Sequence, residues 1–516
     1  MGTLTHDLLA PGMEMAETHT SWVFLGKDSV WKLKKPVDFG FLNFTTPERR
    51  KVACDAEIAL NSRLAPQVYR GVVPVTVDAT GRHSFGGTGN VVDHAVEMVR
   101  LADAQRADIL LDRGALTAAH LETLAERLAA FHERMPTDEH IASFGSPQQI
   151  LTNIRENFSQ TRNTLHDYLQ PEQARELEAR QLGFVEDHRE LFISRIIAGK
   201  VRDGHGDLRL EHIYLQPDPT IIDCIEFNER FRYGDVCSDI AFLTMDLARA
   251  GRVDLSERLL AAYASAADDF DLYRLVDFYE GYRAFVRGKV ASLLAEDSAA
   301  SVEARQRARQ LARRHYLLAL ASGREALSEP VLLVVGGLIG SGKSTVAAGI
   351  SASLAAPVVA TDRTRKYWLG VTPRTSLHES EWSGVYSPEL SERIYGEALR
   401  RAACVLGSGR SVIIDGSFRS REHRGRAHLL AHQLGVPFFF VECRATPEEA
   451  RARLHRRAGG AHVSDARVEL FDEFAKRFEP IDEFGPDEHI VADTSRALPD
   501  TLQQVGARLP VWPPGH

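Results

Sequence analysis

A chain of 516 residues exceeds what one hydrophobic core usually supports, so two to four domains are expected. Its content, 44% hydrophobic and 26% charged, is that of globular protein, and a net charge of −9 argues against a surface that coats nucleic acid. Five scattered cysteines outside any CxxC spacing, no apolar run near the roughly 18 residues of a membrane helix, and no basic-then-apolar start predict a cytoplasmic chain with no use for a membrane.

From the start, Thr20 to Leu25 and Ser29 to Lys34 read as two strands joined by the turn Gly26-Lys27-Asp28. Glu48 to Leu64 has helical apolar spacing and ends before Pro66. Val68 to Val77 and Ala95 to Leu101 return to strand character, and the glycine-rich stretch Gly81 to Asn90 reads as a surface hairpin, because no helix follows it. Ala115 to Arg134 and Gln148 to Phe192 are helical, with loops near Pro136, Pro147 and Pro171.

The stretch Asp203-Gly-His-Gly-Asp207 then leads through His212 to a hairpin, and Asp223 stands sixteen residues after Asp207 at the end of its return strand. Two carboxylates at such positions can divide the work of phosphoryl transfer, one accepting a hydroxyl proton and the other gripping Mg²⁺. The bland alternative is a turn-stabilising Asp followed by a strand-end Asp.

HGD at 205–207, IIDCIEF at 221–227 and GDVCSDIAFL at 234–243 resemble the aminoglycoside phosphotransferase-like kinases, a branch of the protein-kinase fold that phosphorylates small molecules. That resemblance implies a bilobal kinase domain over residues 1–325. It makes Asp207 the catalytic base, Asp223 the principal Mg²⁺ ligand, Lys32 the strand lysine on the nucleotide phosphates and Glu57 its partner. Lys34 competes for the lysine's role, since it lies on the same strand face, whereas Lys35 points the other way. The family pattern continues HGDxxxxN, but here the last position is His212. Imidazole suits softer metals than Mg²⁺, so His212 is read three ways: a metal ligand, a phosphate hydrogen-bond partner, or an inert replacement. Asp239, ahead of an apolar helix, is expected to brace the catalytic loop or cap that helix, and Glu226 is a further carboxylate near the metal position.

Leu255 to Ser322 is helical, and the arginine run in Val302 to Ala321 reads as a solvated helix face. Past Pro330 the pattern becomes alternating strand and helix, the signature of a parallel sheet covered on both faces. Val331 to Val335 feeds Gly337-Leu-Ile-Gly340-Ser341-Gly342-Lys343-Ser344-Thr345, the P-loop spacing GxxxxGK[ST]. Such a loop aims successive N–H groups at a phosphate chain, with Lys343 reaching its end and Ser344 on Mg²⁺. Thr345 begins the helix. Further strands are read at Pro357 to Thr361, Ser411 to Ile414 and Pro437 to Val441, with helices at Pro388 to Gly407, Arg421 to Leu434 and Pro447 to Arg457.

With DRTR at 362–365, VIIDGSF at 412–418 and RLHRR at 453–457, this half (330–516) resembles the small P-loop kinases that include gluconate-kinase-like, zeta-toxin-like and polynucleotide-kinase domains. The resemblance implies that Asp362 takes the acceptor's proton, Arg365 orients the substrate or the transferring phosphate, Asp415 serves Mg²⁺, and Arg453 and Arg457 form a lid. Their bland alternatives are a helix cap for Asp362 and a solvated basic helix for the two arginines.

The fold class expected is therefore mixed α+β and α/β in two domains, and the function a two-headed phosphotransferase using ATP and Mg²⁺ on small hydroxyl-bearing acceptors. Three competing readings stand beside it. The first half could be a nucleotide-binding control module, the second a nucleic-acid 5′-end kinase, or the whole chain a nucleotide-dependent scaffold.

Overall fold

The computed structural model describes residues 2–18, 20–38, 40, 42–215, 217–297, 300–322, 329–372, 375, 377, 384–457 and 467–509. They divide into two compact units, one from Met1–Gly251 and Phe278–Ala321, the other from Arg252–Asp277 and Ser322–His516. The stretch 252–277 thus groups with the P-loop half, although in sequence it interrupts the first unit.

The first unit opens with an antiparallel sheet of β1 (Glu14–Glu17), β2 (Ser21–Leu25), β3 (Ser29–Lys34), β4 (Tyr69–Val77), β5 (His83–Phe85) and β6 (Asn90–Val99), in the order β1-β2-β3-β6-β4-β5. β3 follows the two-residue alternation of a strand with both faces in use. Leu33 and Trp31 enter an apolar cluster with Phe24 and Phe85, while Val30 on the opposite face joins Cys54, Val96 and Met98. Lys32 and Lys34 share the face of Val30. Helix α1 (Pro47–Asn61) carries Cys54 and Glu57. Its start is set by Thr46, whose side chain accepts from the Arg49 N–H, and by Pro47 at the first helical position. The stretch read as a hairpin supplies only its second strand, β5, which folds back on β4 through a turn at 78–82, and then leads to β6.

Beyond the sheet the unit is mainly helical, with helices Ala118–Arg134, Pro147–Thr161, Pro171–Asp187 and Arg189–Ile197 before the HGD segment. Two short ribbons frame that segment: β7 (Val201–Asp203) pairs with β10 (Tyr233–Asp235), and β8 (Ile213–Tyr214) pairs with β9 (Thr220–Ile221). Helix α2 (Val236–Arg249) follows, capped by the Asp235 side chain on the Cys237 N–H. Helices Val276–Glu296 and Val302–Ala321 complete the unit's helical part.

In the second unit, α3 (Val253–Ala267) precedes a parallel sheet of β11 (Leu332–Gly336), β12 (Val358–Ala360), β13 (Val412–Asp415), β14 (Phe438–Arg444) and β15 (His489–Asp493). The strand order is β12-β13-β11-β14-β15, and every residue of β11 and β13 is buried. Such continuous apolar strands are what a sheet covered on both faces requires. Its helices include α4 (Lys343–Leu354), α5 (Thr361–Trp368), α6 (Pro388–Gly407), α7 (Arg421–Leu434), α8 (Pro447–Arg457) and α9 (Leu498–Gly506).

Three salt-bridged arginines fasten the stretch 252–277 to α6 and the turn after it. Arg401 pairs with Asp268 at 2.7 Å, Arg400 with Asp271 at 2.6 Å, and Arg410 with Glu257 at 2.7 Å and Asp277 at 2.8 Å. Among the described residues no helix is long and apolar enough to cross a membrane, and all five cysteines are free thiols.

Candidate active sites

In the first unit one carboxylate is shared between two lysines. Glu57, fully buried on α1, meets the Lys32 Nζ at 2.9 Å through Oε1 and the Lys34 Nζ at 2.7 Å through Oε2. Each lysine also reaches the segment after β9: Lys32 is ion-paired with Asp223, and Lys34 with Glu226. The two are not equivalent. Lys34 is 1% exposed and locked between two carboxylates, whereas Lys32 is 15% exposed and touches the residue expected to serve the metal. Burial opposes the charge on Lys32, but Asp223 and Glu57 outweigh it and raise its pKa well above the ordinary range. Lys34 is likewise held charged against burial by Glu226 and Glu57. Lys35, on the other face, pairs with Glu17 at 2.6 Å.

Asp223 has φ 66°, a left-handed conformation uncommon outside glycine. The turn is held from both sides: the Asp223 N–H donates to the Tyr69 hydroxyl at 3.2 Å, and the Cys224 N–H donates to the Asn61 side chain at 2.8 Å. This conformation points the carboxylate at Lys32 and leaves its side chain 42% exposed in the cleft. Desolvation raises its pKa, yet Lys32 and His212 win and hold the carboxylate well below its usual range.

The HGD turn is braced by Asp239, whose oxygens accept the N–H groups of His205 at 2.7 Å and Gly206 at 2.9 Å. Asp239 is thus the loop brace anticipated from sequence. Gly206 has φ 86°, and a Cβ there would lie 2.7 Å from the Phe231 carbonyl oxygen, so only glycine fits. Asp207 accepts from the Arg209 Nε at 3.1 Å. Burial would raise its pKa, but Arg209, His212 and Arg287 hold it low, so it is ionised.

His212 has both ring nitrogens engaged: Nδ1 lies 3.0 Å from the Asp207 carbonyl oxygen, and Nε2 lies 3.0 Å from the Arg209 guanidinium. Nε2 is also 3.4 Å from Asp223, and metal ligation by His212 would require Arg209 to withdraw. Sequence reasoning left Arg209 without a role. Its position two residues after Asp207 was the available signal.

In the second unit the P-loop residues Gly337, Gly340 and Gly342 all have positive φ, at 137°, 75° and 90°. Lys343 opens α4 and lays its Nζ on the Leu338 carbonyl at 2.8 Å, across the loop it is meant to serve. Ser341 is 2% exposed and its hydroxyl has no hydrogen-bond partner, an orphaned polar atom inside a cradle of backbone N–H groups. Ser344 and Thr345 are exposed on the first turn of α4. Asp415 ends β13 in register with Val335, two residues before the loop begins, and is 8% exposed. These features fit a phosphate chain with a Mg²⁺ that takes most of its ligands from phosphate and water. Among the described residues no three His, Cys, Asp or Glu side chains gather around a metal-sized site.

Asp362 and Arg365 lie one turn apart on α5, and Arg365 stacks over the Tyr386 ring at 4.8 Å. The helix is held by Arg401, which donates to the Thr364 hydroxyl at 3.1 Å. Arg453 on α8 donates to the Thr494 carbonyl at 2.5 Å and its hydroxyl at 3.1 Å, and Thr494 in turn donates to the Ser341 carbonyl at 2.7 Å. Arg453 is therefore fastened to the edge of the P-loop. The Arg457 side chain lies outside the described residues.

Residues 30–279 match the family described as "Phosphotransferase enzyme family", and residues 332–481 match the family described as "AAA domain". Uncharacterized protein Rv2004c of Mycobacterium tuberculosis is 35% identical over 468 residues, covering 90% of this chain and 90% of its own. Uncharacterized protein Mb2027c of Mycobacterium bovis matches to the same extent. Among solved structures, a gluconokinase from Sinorhizobium meliloti 1021 matches at 20% identity over 35% of this chain and 91% of its own, with a TM-score of 0.26. The GDP complex of aminoglycoside 2′-phosphotransferase-IIIa matches at 15% identity over 59% of this chain and 92% of its own, with a TM-score of 0.34. By the identity and coverage of the mycobacterial proteins the chain belongs to their family, and it joins an aminoglycoside phosphotransferase-like kinase domain to a P-loop kinase domain.

Proposed function

We propose that the protein is an ATP- and Mg²⁺-dependent phosphotransferase with two heads, each moving the γ-phosphoryl group to a hydroxyl of a small molecule. One observation carries this reading. In each unit a lysine suited to phosphate is matched with a strand-end or turn carboxylate suited to Mg²⁺: Lys32 is ion-paired with Asp223 in the first, and in the second Asp415 ends the strand beside the one that feeds the loop of Lys343. When bound, Mg²⁺ supplies positive charge across the phosphate oxygens. The chain's own residues do the rest. Lys32, held by Glu57, and Lys343, at the start of α4, receive phosphate oxygens. Asp207 and Asp362 accept the acceptor's proton, and Arg365 steadies the group in transfer.

The test is transfer from γ-labelled ATP to a pool of sugars, aminoglycosides, nucleosides and oligonucleotides, using wild type, Asp207→Ala and Lys343→Ala. Each variant is expected to abolish labelling of a different acceptor, with losses of about 10²- to 10³-fold, the size seen when one charge-stabilising group is removed. A second reading, the first unit as a nucleotide-binding control module, is favoured by the engagement of both His212 nitrogens. It predicts that Asp207→Ala leaves every labelled product unchanged. Labelling of oligonucleotides in preference to small acceptors would reject the small-molecule assignment.

A further inference from the structure

We propose that the first unit holds an oxyanion subsite beside Asp207, centred on Arg287 and Arg209, which selects a hydroxyl acceptor that itself carries a phosphate or carboxylate group. The inference rests on the reading of Asp207 as the residue that meets the acceptor.

Helix Val276–Glu296 runs along the HGD turn, where Arg283 donates to the Gly206 carbonyl at 3.2 Å and to the Ser238 hydroxyl at 3.0 Å. Arg287 follows one helical turn later on the same face, which brings it next to Asp207. The charges acting most strongly on it are Arg209, Asp207, Glu211 and Asp246. Asp207, the residue read as meeting the acceptor, is among them. An anion received there belongs to the acceptor.

The neighbouring guanidiniums are already partnered. Arg209 is ion-paired with Asp207 and Glu211, and Arg249 with Asp246 at 2.8 Å. Arg287 makes no hydrogen bond or ion pair with any described residue. Burial and the like charge of Arg209 both push its pKa down, an uncommon state for a guanidinium and one that a bound oxyanion would relieve. His315, 2% exposed on the next helix, has an Nδ1 without a partner. Burial first, then Arg287, Arg249 and Arg209, keep it neutral, with its pKa pushed down to about 3. An anionic acceptor brings Arg287 the direct counter-charge it lacks. A polycationic amino sugar would instead meet Arg209 and Arg287 with like charge.

The test reads binding without turnover. Full-length protein carrying Lys343→Ala, which weakens phosphate binding at the P-loop, is titrated calorimetrically with glycerol 3-phosphate, glycerate, glycerol and glucosamine. At least one of the two anions is expected to bind, and which one distinguishes phosphate from carboxylate; glycerol and glucosamine are not expected to bind at the same concentrations. Adding Arg287→Gln should weaken that binding at least tenfold, and Arg287→Lys should retain part of it, with melting curves confirming that both variants fold. Binding unaltered by Arg287→Gln, no binding of either anion, or glucosamine binding as tightly as the anions would overturn the subsite. Unchanged labelling in Asp207→Ala would sink the phosphotransferase reading of this head but leave the binding result standing, so the two failures are distinguishable.

Discussion

Lys32 and Asp223 stand 191 positions apart in sequence yet in contact in the first unit, whereas the second unit builds its phosphate cradle from nine consecutive residues, Gly337 to Thr345. The difference is one of where the positioning energy resides. A contiguous loop is shaped by its own backbone angles and needs the surrounding sheet mainly as a platform. A dispersed site has to be drawn together by the fold, and here it is held by ion pairs among buried groups, each of which costs stability if left without its partner. The first site should therefore fail through loss of folding when its network is cut, and the second through local distortion.

Lys34→Met breaks the comparison at its most sensitive point. The substitution leaves Glu57, fully buried, and Glu226, 8% exposed at its side chain, with a shared counter-charge removed. A loss of about 3–5 kcal/mol in the stability of the first unit is expected, read by denaturant titration. Lys32→Met should cost less stability, because Glu57 keeps Lys34 and Asp223 keeps access to solvent. It should cost more turnover, by lowering kcat with little change in the melting temperature. Equal effects of the two substitutions on both measurements would show that the lysines do not divide the roles.

The same contrast decides what the sequence made legible. The P-loop was readable in full, because its chemistry lies in adjacent residues and its helix start follows at once. Helices α6, α7 and α8 were placed at their observed bounds from apolar spacing, Pro388 and Pro447 marking two of the starts. In the first unit HGD and Asp223 were visible as turn and strand-end residues. The choice between Lys32 and Lys34 was not, because both sit on one strand face and the deciding contacts, to Asp223 and Glu226, come from 191 and 192 positions further along the chain. β1 escaped notice because Glu14–Glu17 is an exposed edge strand without apolar alternation. The expected strand Pro357 to Thr361 is shorter in fact, Val358–Ala360, because Thr361 begins α5 instead of ending the strand. Arg287 carried no signal at all: one arginine in a long helix looks like any other until the HGD turn is packed against it.

A pH titration sharpens the comparison next. His205 is fully buried, with Nε2 3.0 Å from the Ile222 carbonyl and Nδ1 accepting the Asp207 N–H at 3.3 Å. Both contacts suit the neutral ring, and burial pushes its pKa down to about 4. The unfolded chain, with an ordinary value near 6.5, binds the proton first as pH falls. Stability from this group is therefore complete above about pH 6.5 and is lost between there and about pH 4, by up to about 3 kcal/mol. Melting temperatures of wild type should fall over that window, and those of His205→Gln should fall less. Parallel curves would mean that His205 is not the titrating group.

The smallest effect belongs to the contiguous site. Gly340 has φ 75°, and a Cβ there would lie 2.6 Å from the Ala450 carbonyl oxygen on α8. Gly340→Ala must either distort the loop or displace α8, at a cost of about 1–3 kcal/mol for a residue held in that backbone region. Displacing α8 also disturbs Arg453, which reaches the loop through Thr494. The expected result is a modest fall in the melting temperature with a larger rise in the apparent KM for ATP at the second head, and no change in transfer by the first. If Gly340→Ala impaired both heads equally, the two sites would share their positioning energy, and the contrast between a locally built cradle and a fold-assembled one would not hold.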